Sequence, residues 1–394
     1  MPARLILFIG LALTAMGQTV LFAVLGPVVR DIGLSEISAG AIISASALVV
    51  VMVSPAWGRA TDRVGRKPVF VFALAGFVVM SAAFGLVLQA GMAGLIAGPA
   101  AFIALVMARV VYALAIAGGQ PSAAGYIADT SSEAERAGAM ATIGGAFAIG
   151  AICGPALAFA LAPLGVLAPI YGAAGLGLIW ALVAVIALPE PQRPAAPDTQ
   201  SPTLRPSDPR LVRLLIGIVC VFTAIAMLQQ TMAFYVQDLG GLDAAGTARR
   251  TGLLIGTLAM ANLGAFVAVA RVKPPPDRLI VLGGILAAVG AAVLFLSTAL
   301  PLLLCANLLM GAGFGAFLPG AQAKASLSVS KTDQGAAAGL VAAAMAAGYV
   351  IGPILGTGLY MYATSATFLL ATVVTVTGLA FARVSGKAAP AQTA

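Results

Sequence analysis

Long apolar runs, each ended by a short cluster of glycine, proline and charge, divide this chain into twelve segments. A helix needs about 20 apolar residues to cross the hydrocarbon core of a bilayer. On that measure the pattern predicts spans over 5–29, 37–57, 69–90, 97–125, 137–161 and 167–188. A second set is expected over 211–236, 251–271, 279–299, 301–323, 335–360 and 365–383. The runs lack the period-two alternation of a lipid-facing barrel strand. The expected fold class is therefore an all-α membrane protein. The first run, Leu5 to Val29, is too long for a signal-peptide core and has no clear small-residue cleavage site after it, so it reads as a retained helix.

The longest interruption is Pro189 to Pro209, with seven prolines in 21 residues. Such a stretch cannot build a core and reads as a mobile linker. It separates an expected bundle at 1–188 from a second at 211–394 that carries a short tail, with 189–210 as a cytoplasmic connection. The two sides repeat. Gly150, Gly154 and Pro155 return as Gly348, Gly352 and Pro353 at an offset of 198 residues. The same offset carries Pro121 onto Pro319, Ser132 and Glu135 onto Ser330 and Asp333, and Arg109 onto Asn307. Two pseudo-symmetric six-helix bundles follow, an arrangement that commonly places a solute path between repeats.

Composition fits this picture. Hydrophobic residues make up 61% of the chain and charged residues 9%, against about 25% charge in a soluble domain. Lipid must solvate most of the surface, and abundant Gly and Ala let helices approach closely. The net charge of +8 is not a nucleic-acid signature, because the basic residues sit in short loops. With a cytoplasmic N-terminus, 17 of the 21 basic residues fall inside, Arg30, Arg249 and Arg250 fall outside, and Arg109 lies within a span. The positive-inside rule therefore favours two cytoplasmic termini. Cys153, Cys220 and Cys305 lie in apolar runs and read as reduced packing residues; without histidine or a cysteine pair, no zinc site is visible and no cofactor is expected. Neither a Gly-Lys-Ser/Thr phosphate loop nor paired carboxylates within a span point to an enzyme.

Several motifs carry physical content. The stretch after the second span runs from Gly58 through Asp62, Arg63 and Gly65 to Arg66 and Lys67. Read as a loop, it offers glycine for a tight turn, Asp62 to face a helix N-terminus, and Arg66 to pair with an acid on an adjacent helix; a basic loop that merely sets topology is the alternative. Ser132 with Glu135, and Ser330 with Asp333, have capping-box spacing and are expected to start helices. Gly150, Gly154 and Pro155 put a kink and a close helix contact in the fifth span, with Gly348, Gly352 and Pro353 as the counterpart. Arg109 stands in an otherwise apolar run. A charge at the bilayer centre costs several kcal/mol, so it must face protein or water: a cavity, or backbone carbonyls reached by snorkelling. Gln18, Thr19, Gln120, Gln229, Gln230, Asn262 and Asn307 are the other intramembrane polar candidates for a cavity wall, with Tyr112, Phe234 and Tyr235 as aromatic wall. Interhelical hydrogen bonding is their alternative role. Gln18 and the Gln229–Gln230 pair read as symmetry counterparts in the first spans of the two halves.

The Gly58-to-Lys67 spacing resembles the signature loop of the major facilitator superfamily. Together with twelve spans and the half-repeat, the likeness covers nearly the whole chain. It implies a charge relay in which Asp62 and Arg66 join Asp129 at the end of the fourth span to latch the two halves on the cytoplasmic side. The second-half stretch Arg271 to Arg278 does not match, so the latch is expected to be asymmetric. The Gly150–Pro155 motif is similar to the antiporter signature of drug:proton exporters, with Ala158 and Phe159 in place of its final glycines. By the same resemblance Arg109 is linked to substrate or proton coupling. The tetracycline-efflux branch is the most similar, yet its membrane carboxylates correspond here to Thr14, about Met80 and about Ala287. The implied function is secondary active efflux of a small amphiphilic compound or drug, by alternating access, with protons as coupling ion. Transport of an organic anion bound by Arg109 is the second reading, and a membrane sensor with a transporter-like body the third. A monomer in a bacterial-type inner membrane is expected, with no nucleic-acid partner.

Overall fold

The computed structural model of the protein describes residues 2–131, 133–191, 204–330 and 333–384, without the side chains of 133–141 and 384. Among the described residues, twelve spans are long and apolar enough to cross a membrane. The first half holds α1 (Ala3–Asp31), α2 (Glu36–Val64), α3 (Arg66–Met92), α4 (Gly98–Ile116), α5 (Gly119–Thr130), α6 (Glu133–Leu161) and α7 (Ala168–Ala187). The second holds α8 (Val212–Gly240), α9 (Ala244–Val272), α10 (Pro276–Leu296), α11 (Leu300–Leu327), α12 (Gln334–Tyr360) and α13 (Thr364–Val384). All of the expected spans are present, most of them longer than the hydropathy pattern suggests. The chain is an all-α multi-pass membrane protein. Large apolar side chains such as Met52, Val79 and Ile103 are more than half exposed, as they must be where lipid is the solvent.

The fourth span is two helices, α4 and α5, joined at Ala117–Gly118. Pro121 has no N–H to offer the carbonyl four residues back, which weakens the helix at that point. A Cβ at Gly118 would come within 3.0 Å of Val69 and Trp57, so the joint sits where only glycine fits against α2 and α3.

Packing divides the chain into two compact units: Met1–Pro197 with Met232–Gly256, and Asp198–Thr231 with Thr257–Ala394. In the first unit α1 lies against α6 and α7, α3 against α4 and α7, and α2 against α4. Its core includes Ile6, Leu7, Phe70, Leu74 and Ile127, all nearly inaccessible. In the second unit α10 lies against α11 and α13, and α12 against α11 and α13. There Gly283 meets the Gly313 carbonyl and Gly290 the Ala306 carbonyl, where an added Cβ would stand 2.6 Å from the oxygen. Backbones this close gain dispersion that larger side chains would forbid.

The internal repeat is visible as the same contact made twice. Gly150 and Gly154 on α6 face Ala15, Met16 and Thr19 on α1; Gly348 and Gly352 on α12 face Phe222, Thr223 and Ala226 on α8. This register pairs Met16 with Thr223 and Thr19 with Ala226, so Gln18 corresponds to Ile225. Gln229 and Gln230 stand one turn further along α8 and are not its counterparts. The first helices repeat at a longer offset than the fifth because the chain between them differs in length.

Two expectations about loops change. Residues 58–64 are helical, α2 running to Val64, and only Gly65 separates it from α3; Gly58 is therefore a helix residue with open space around its missing Cβ. Ser132 and the Glu135 side chain lie outside the described residues, so that pairing is not described. In the second half α12 starts at Gln334, and the Ser330 hydroxyl donates to the Asp333 carboxylate at 2.8 Å. That places Asp333 before the helix, where no side chain caps it. Cys153 and Cys305 are exposed on their spans and only Cys220 is half-buried, so two of the three thiols do not pack inside.

Candidate functional site

Arg109 is 3% exposed, in the middle of α4. Its Nη2 donates to the Gln18 Oε1 at 2.7 Å and to the Ser46 hydroxyl at 3.0 Å. Ser46 in turn donates to the Ile43 carbonyl at 3.0 Å, which fixes its lone pairs toward the guanidinium. The cation lies over the Tyr112 ring, 4.3 Å from its centre, with Phe84 at 5.9 Å. Insertion of an arginine at mid-membrane costs about 2.5–3.5 kcal/mol. Charge-assisted hydrogen bonds at about 1.5–3 kcal/mol each, and the ring faces, offset that cost.

The compensation is incomplete. Arg109 Nε and the Tyr112 hydroxyl are both buried, and neither makes a hydrogen bond of ordinary geometry. Both residues line a small pocket among α1, α3, α4 and α7, closed by Leu21, Met80, Ser81, Phe84 and Ile170. None of these residues is acidic. Arg109, Gln18 and Tyr112 are thus brought together, and Ser46, Ser81 and Phe84 join them unforeseen.

A second constellation occupies the turn between α2 and α3. Arg66 donates from Nε to Asp129 at 2.8 Å, and from Nη1 to Asp62 at 2.5 Å. Three helices, α2, α3 and α5, are tied by one guanidinium. Gly65 supplies the turn with φ +127°, a conformation that side chains rarely adopt. Glu190, just past α7, falls in the stretch expected to be a mobile linker. Its carboxylate instead accepts from the backbone N–H groups of Arg66 and Lys67 at 2.7 and 2.8 Å, capping the positive end of α3. A Cβ at Gly65 would lie 2.9 Å from that carboxylate. Gly65→Ala is expected to cost about 1–3 kcal/mol and to lower the melting midpoint of the detergent-solubilised protein; an unchanged midpoint would show that the turn is free to relax.

At the opposite end of α2, Arg30 forms a third cluster. It donates to Glu36 at 2.9 and 2.7 Å, to Gln237 at 3.2 Å, and to both carboxylate oxygens of Asp238 at 2.5 and 3.2 Å. Its guanidinium also sits 5.0 Å from the centre of the Phe234 ring. The ends of α1 and α8 and the start of α2 are joined here within the first unit. A bidentate arginine–carboxylate pair is a strong, directional contact.

These features can be set beside known proteins. The sequence model of the Major Facilitator Superfamily matches residues 7–295 and 275–393. The chain belongs to this superfamily. Among relatives, it is 28% identical over 366 residues to the class G tetracycline resistance protein of Vibrio anguillarum, covering 88% of each chain. It is 27% identical over 188 residues to Multidrug resistance protein 1 of Bacillus subtilis (strain 168), which is 48% of this chain and 45% of that protein. The match to the quinolone resistance protein NorA of Staphylococcus aureus (strain MRSA252) is 24% over 188 residues. The alignments to these last two span less than half of their length. Two solved structures share the fold: the nucleoside transporter NupG, with TM-score 0.75, 14% identity and coverage of 98% of this chain and 100% of that one; and a bacterial homologue of the human lysosomal transporter Spinster, with TM-score 0.74, 17% identity and coverage of 97% and 96%. Family and fold agree on a twelve-span member of this superfamily.

Within this superfamily member the remaining candidates lie apart from Arg109. Gln120 is exposed in the first turn of α5. Tyr235 is buried on the part of α8 that belongs to the first unit. In the second unit Gln230 is 1% exposed with neither amide atom bonded, and Gln229 Oε1 is likewise unpaired. Asn307, the counterpart of Arg109, is fully buried and donates to the Leu303 carbonyl at 2.8 Å. Asn262 on α9 has its backbone carbonyl against Gly315 of α11, two turns along from Asn307.

The second half is expected to lack any matching tie at the α10 start. Its loop does differ, but Lys324 near the end of α11 donates to Asp277 at 2.8 Å and to the Ala382 carbonyl at 3.1 Å. The signs are reversed relative to Arg66 and Asp129. With Asp277 77% exposed, this bridge is worth about 0–1 kcal/mol and is the weaker of the two. Sequence reading missed Glu190 and Arg30 as site residues. Arg30 did carry a signal: it is one of only three basic residues on the side that the positive-inside rule leaves bare.

Proposed function

We propose that this transporter exports a small amphiphilic compound from the cytoplasm, coupled to protons, by alternating access of the repeats 1–188 and 211–394 about the 189–210 linker. Both termini lie in the cytoplasm and the protein works as a monomer in a bacterial-type inner membrane. The observation that carries the reading is the Asp62–Arg66–Asp129 network at one end of the first bundle, in a chain that aligns over most of its length with a tetracycline resistance protein.

In this reading the Arg66 network is a cytoplasmic latch that favours the outward-open state. The Arg30–Glu36–Asp238 cluster is its counterweight at the outer end. A substrate shifts the balance by binding one state more tightly than the other. Arg66→Ala is then expected to raise labelling of a cysteine placed at Gln120, in a cysteine-free background, by an impermeant thiol reagent applied from the cytoplasm. Arg30→Ala is expected to lower it. Equal labelling in both variants would remove the two-latch scheme.

A second reading, favoured by the unpaired Arg109 Nε and the acid-free pocket, is export of an organic anion. A growth-inhibition panel of cationic, neutral and anionic toxic amphiphiles, with and without the protein, separates the two. Protection against cations and neutral compounds supports the first; protection confined to anions supports the second; no protection by any class argues against export.

A further inference from the structure

We propose that the Arg109 pocket is a binding site for one halide ion, a chloride under cellular conditions, resident in the first bundle as the counter-charge of Arg109. This goes beyond the transport reading: the ion is part of the bundle and not the cargo.

Four observations meet at this point. The guanidinium is buried, and its hydrogen-bond partners, Gln18 and Ser46, are neutral. The pocket lining contains no carboxylate. Arg109 Nε on that wall has no acceptor in the protein, the Tyr112 hydroxyl beside the guanidinium makes no hydrogen bond of ordinary geometry, and the Ser81 side chain stands on the same wall. Finally, the pocket has room for only about one water-sized particle. A monatomic anion matches that size better than an organic carboxylate does.

The chemistry favours an anion over a water molecule. A buried positive charge without an opposite charge is costly in a medium of low polarisability, and a water would leave it uncompensated. A water could be held by the Arg109 N–H and the Tyr112 and Ser81 hydroxyls, which both donate and accept, but it would bring no negative charge. A chloride takes several N–H and O–H donors at once.

The test uses the full-length protein in detergent. Its melting midpoint is measured at constant pH and ionic strength in sodium gluconate, with gluconate replaced stepwise by chloride, bromide or acetate. The expected result is a saturable rise with chloride and bromide, none with acetate, and binding of one radioactive chloride per chain by equilibrium dialysis. Arg109→Gln should abolish both signals. Tyr112→Phe and Ser81→Ala, which leave the cation in place, should weaken chloride binding at least threefold, so the inference stays testable if Arg109→Gln fails to fold. A midpoint insensitive to the anion, or a halide effect retained in Arg109→Gln, overturns the site. Stabilisation by acetate but not by chloride overturns the halide and supports the organic-anion reading instead. Loss of drug protection with halide binding intact would count against the export reading alone.

Discussion

A valine at Gly154 is expected to leave almost no folded transporter, whereas an alanine at Gly144 on the same helix should be harmless. A Cβ at Gly154 would fall on the Thr19 hydroxyl and within 2.7 Å of the Met16 carbonyl. One obstacle is backbone and cannot rotate away. The other, Thr19, shares its one hydroxyl proton among the Ala15, Met16 and Gly150 carbonyls, at 3.2, 3.1 and 3.2 Å. Relief requires α1 and α6 to separate along their whole contact. Overpacking of a tight interior costs about 1–3 kcal/mol and more where backbone must move, and the lost Thr19–Gly150 contact adds about 1 kcal/mol. Gly144 has nothing within 4 Å of where an alanine methyl group would stand, and an alanine there gains up to about 1 kcal/mol of helix propensity. Gly352→Val should reproduce the defect in the second unit, because Gly352 stands against Ala226 and the Thr223 carbonyl in the same way. Size-exclusion profiles and melting midpoints of the four proteins, wild type included, check this. A Gly154→Val variant that runs as a single species with the parent midpoint would refute the close-contact account of the fifth span.

The second large effect is on transport. Arg109→Ala is expected to reduce solute export more than tenfold while the protein remains folded. A tenfold loss corresponds to about 1.4 kcal/mol, less than one charge-assisted hydrogen bond in a dry site. Folding should survive because loss of the guanidinium also removes the cost of holding a charge in the membrane, which offsets the hydrogen bonds lost to Gln18 and Ser46. Arg109→Lys should fail to restore transport. An ammonium is a point charge without the planar fork that reaches Gln18 and Ser46 while stacking on Tyr112. The pair of measurements, initial export rate and melting midpoint on the same preparation, separates a site defect from a folding defect. Full export by Arg109→Ala would mean that the residue is merely tolerated in the bundle.

How much of this was legible in the sequence depends on the range of the interaction. Hydropathy gave every span, because membrane crossing is a local demand on about 20 residues. The Gly150–Gly154 contact was legible for a similar reason, since small residues four apart mark one helix face. Asp62, Arg66 and Asp129 were linked by resemblance, and their side chains do meet. Glu190 was not legible: it sits among prolines, and its partners are backbone N–H groups that have no sequence signature. The Arg30 cluster joins residues more than 200 positions apart, beyond any periodic pattern. The glutamine pairing between halves failed because the repeat offset changes between the first and fifth spans, so a residue-type match one turn off looked like symmetry. The break between α4 and α5 was legible in principle, as Gly118-Gly119-Gln120-Pro121 joins two weak helix formers to a proline, but the long apolar run around it masked the signal.

The central claim, export driven by a proton gradient, is tested most directly in inside-out membrane vesicles energised by respiration. With the protein present, a fluorescent amphiphilic cation should accumulate in the lumen, and a protonophore should collapse the accumulation within the assay. Arg66→Ala vesicles should accumulate little. Accumulation that is the same with and without the protein, or that survives the protonophore, contradicts the account.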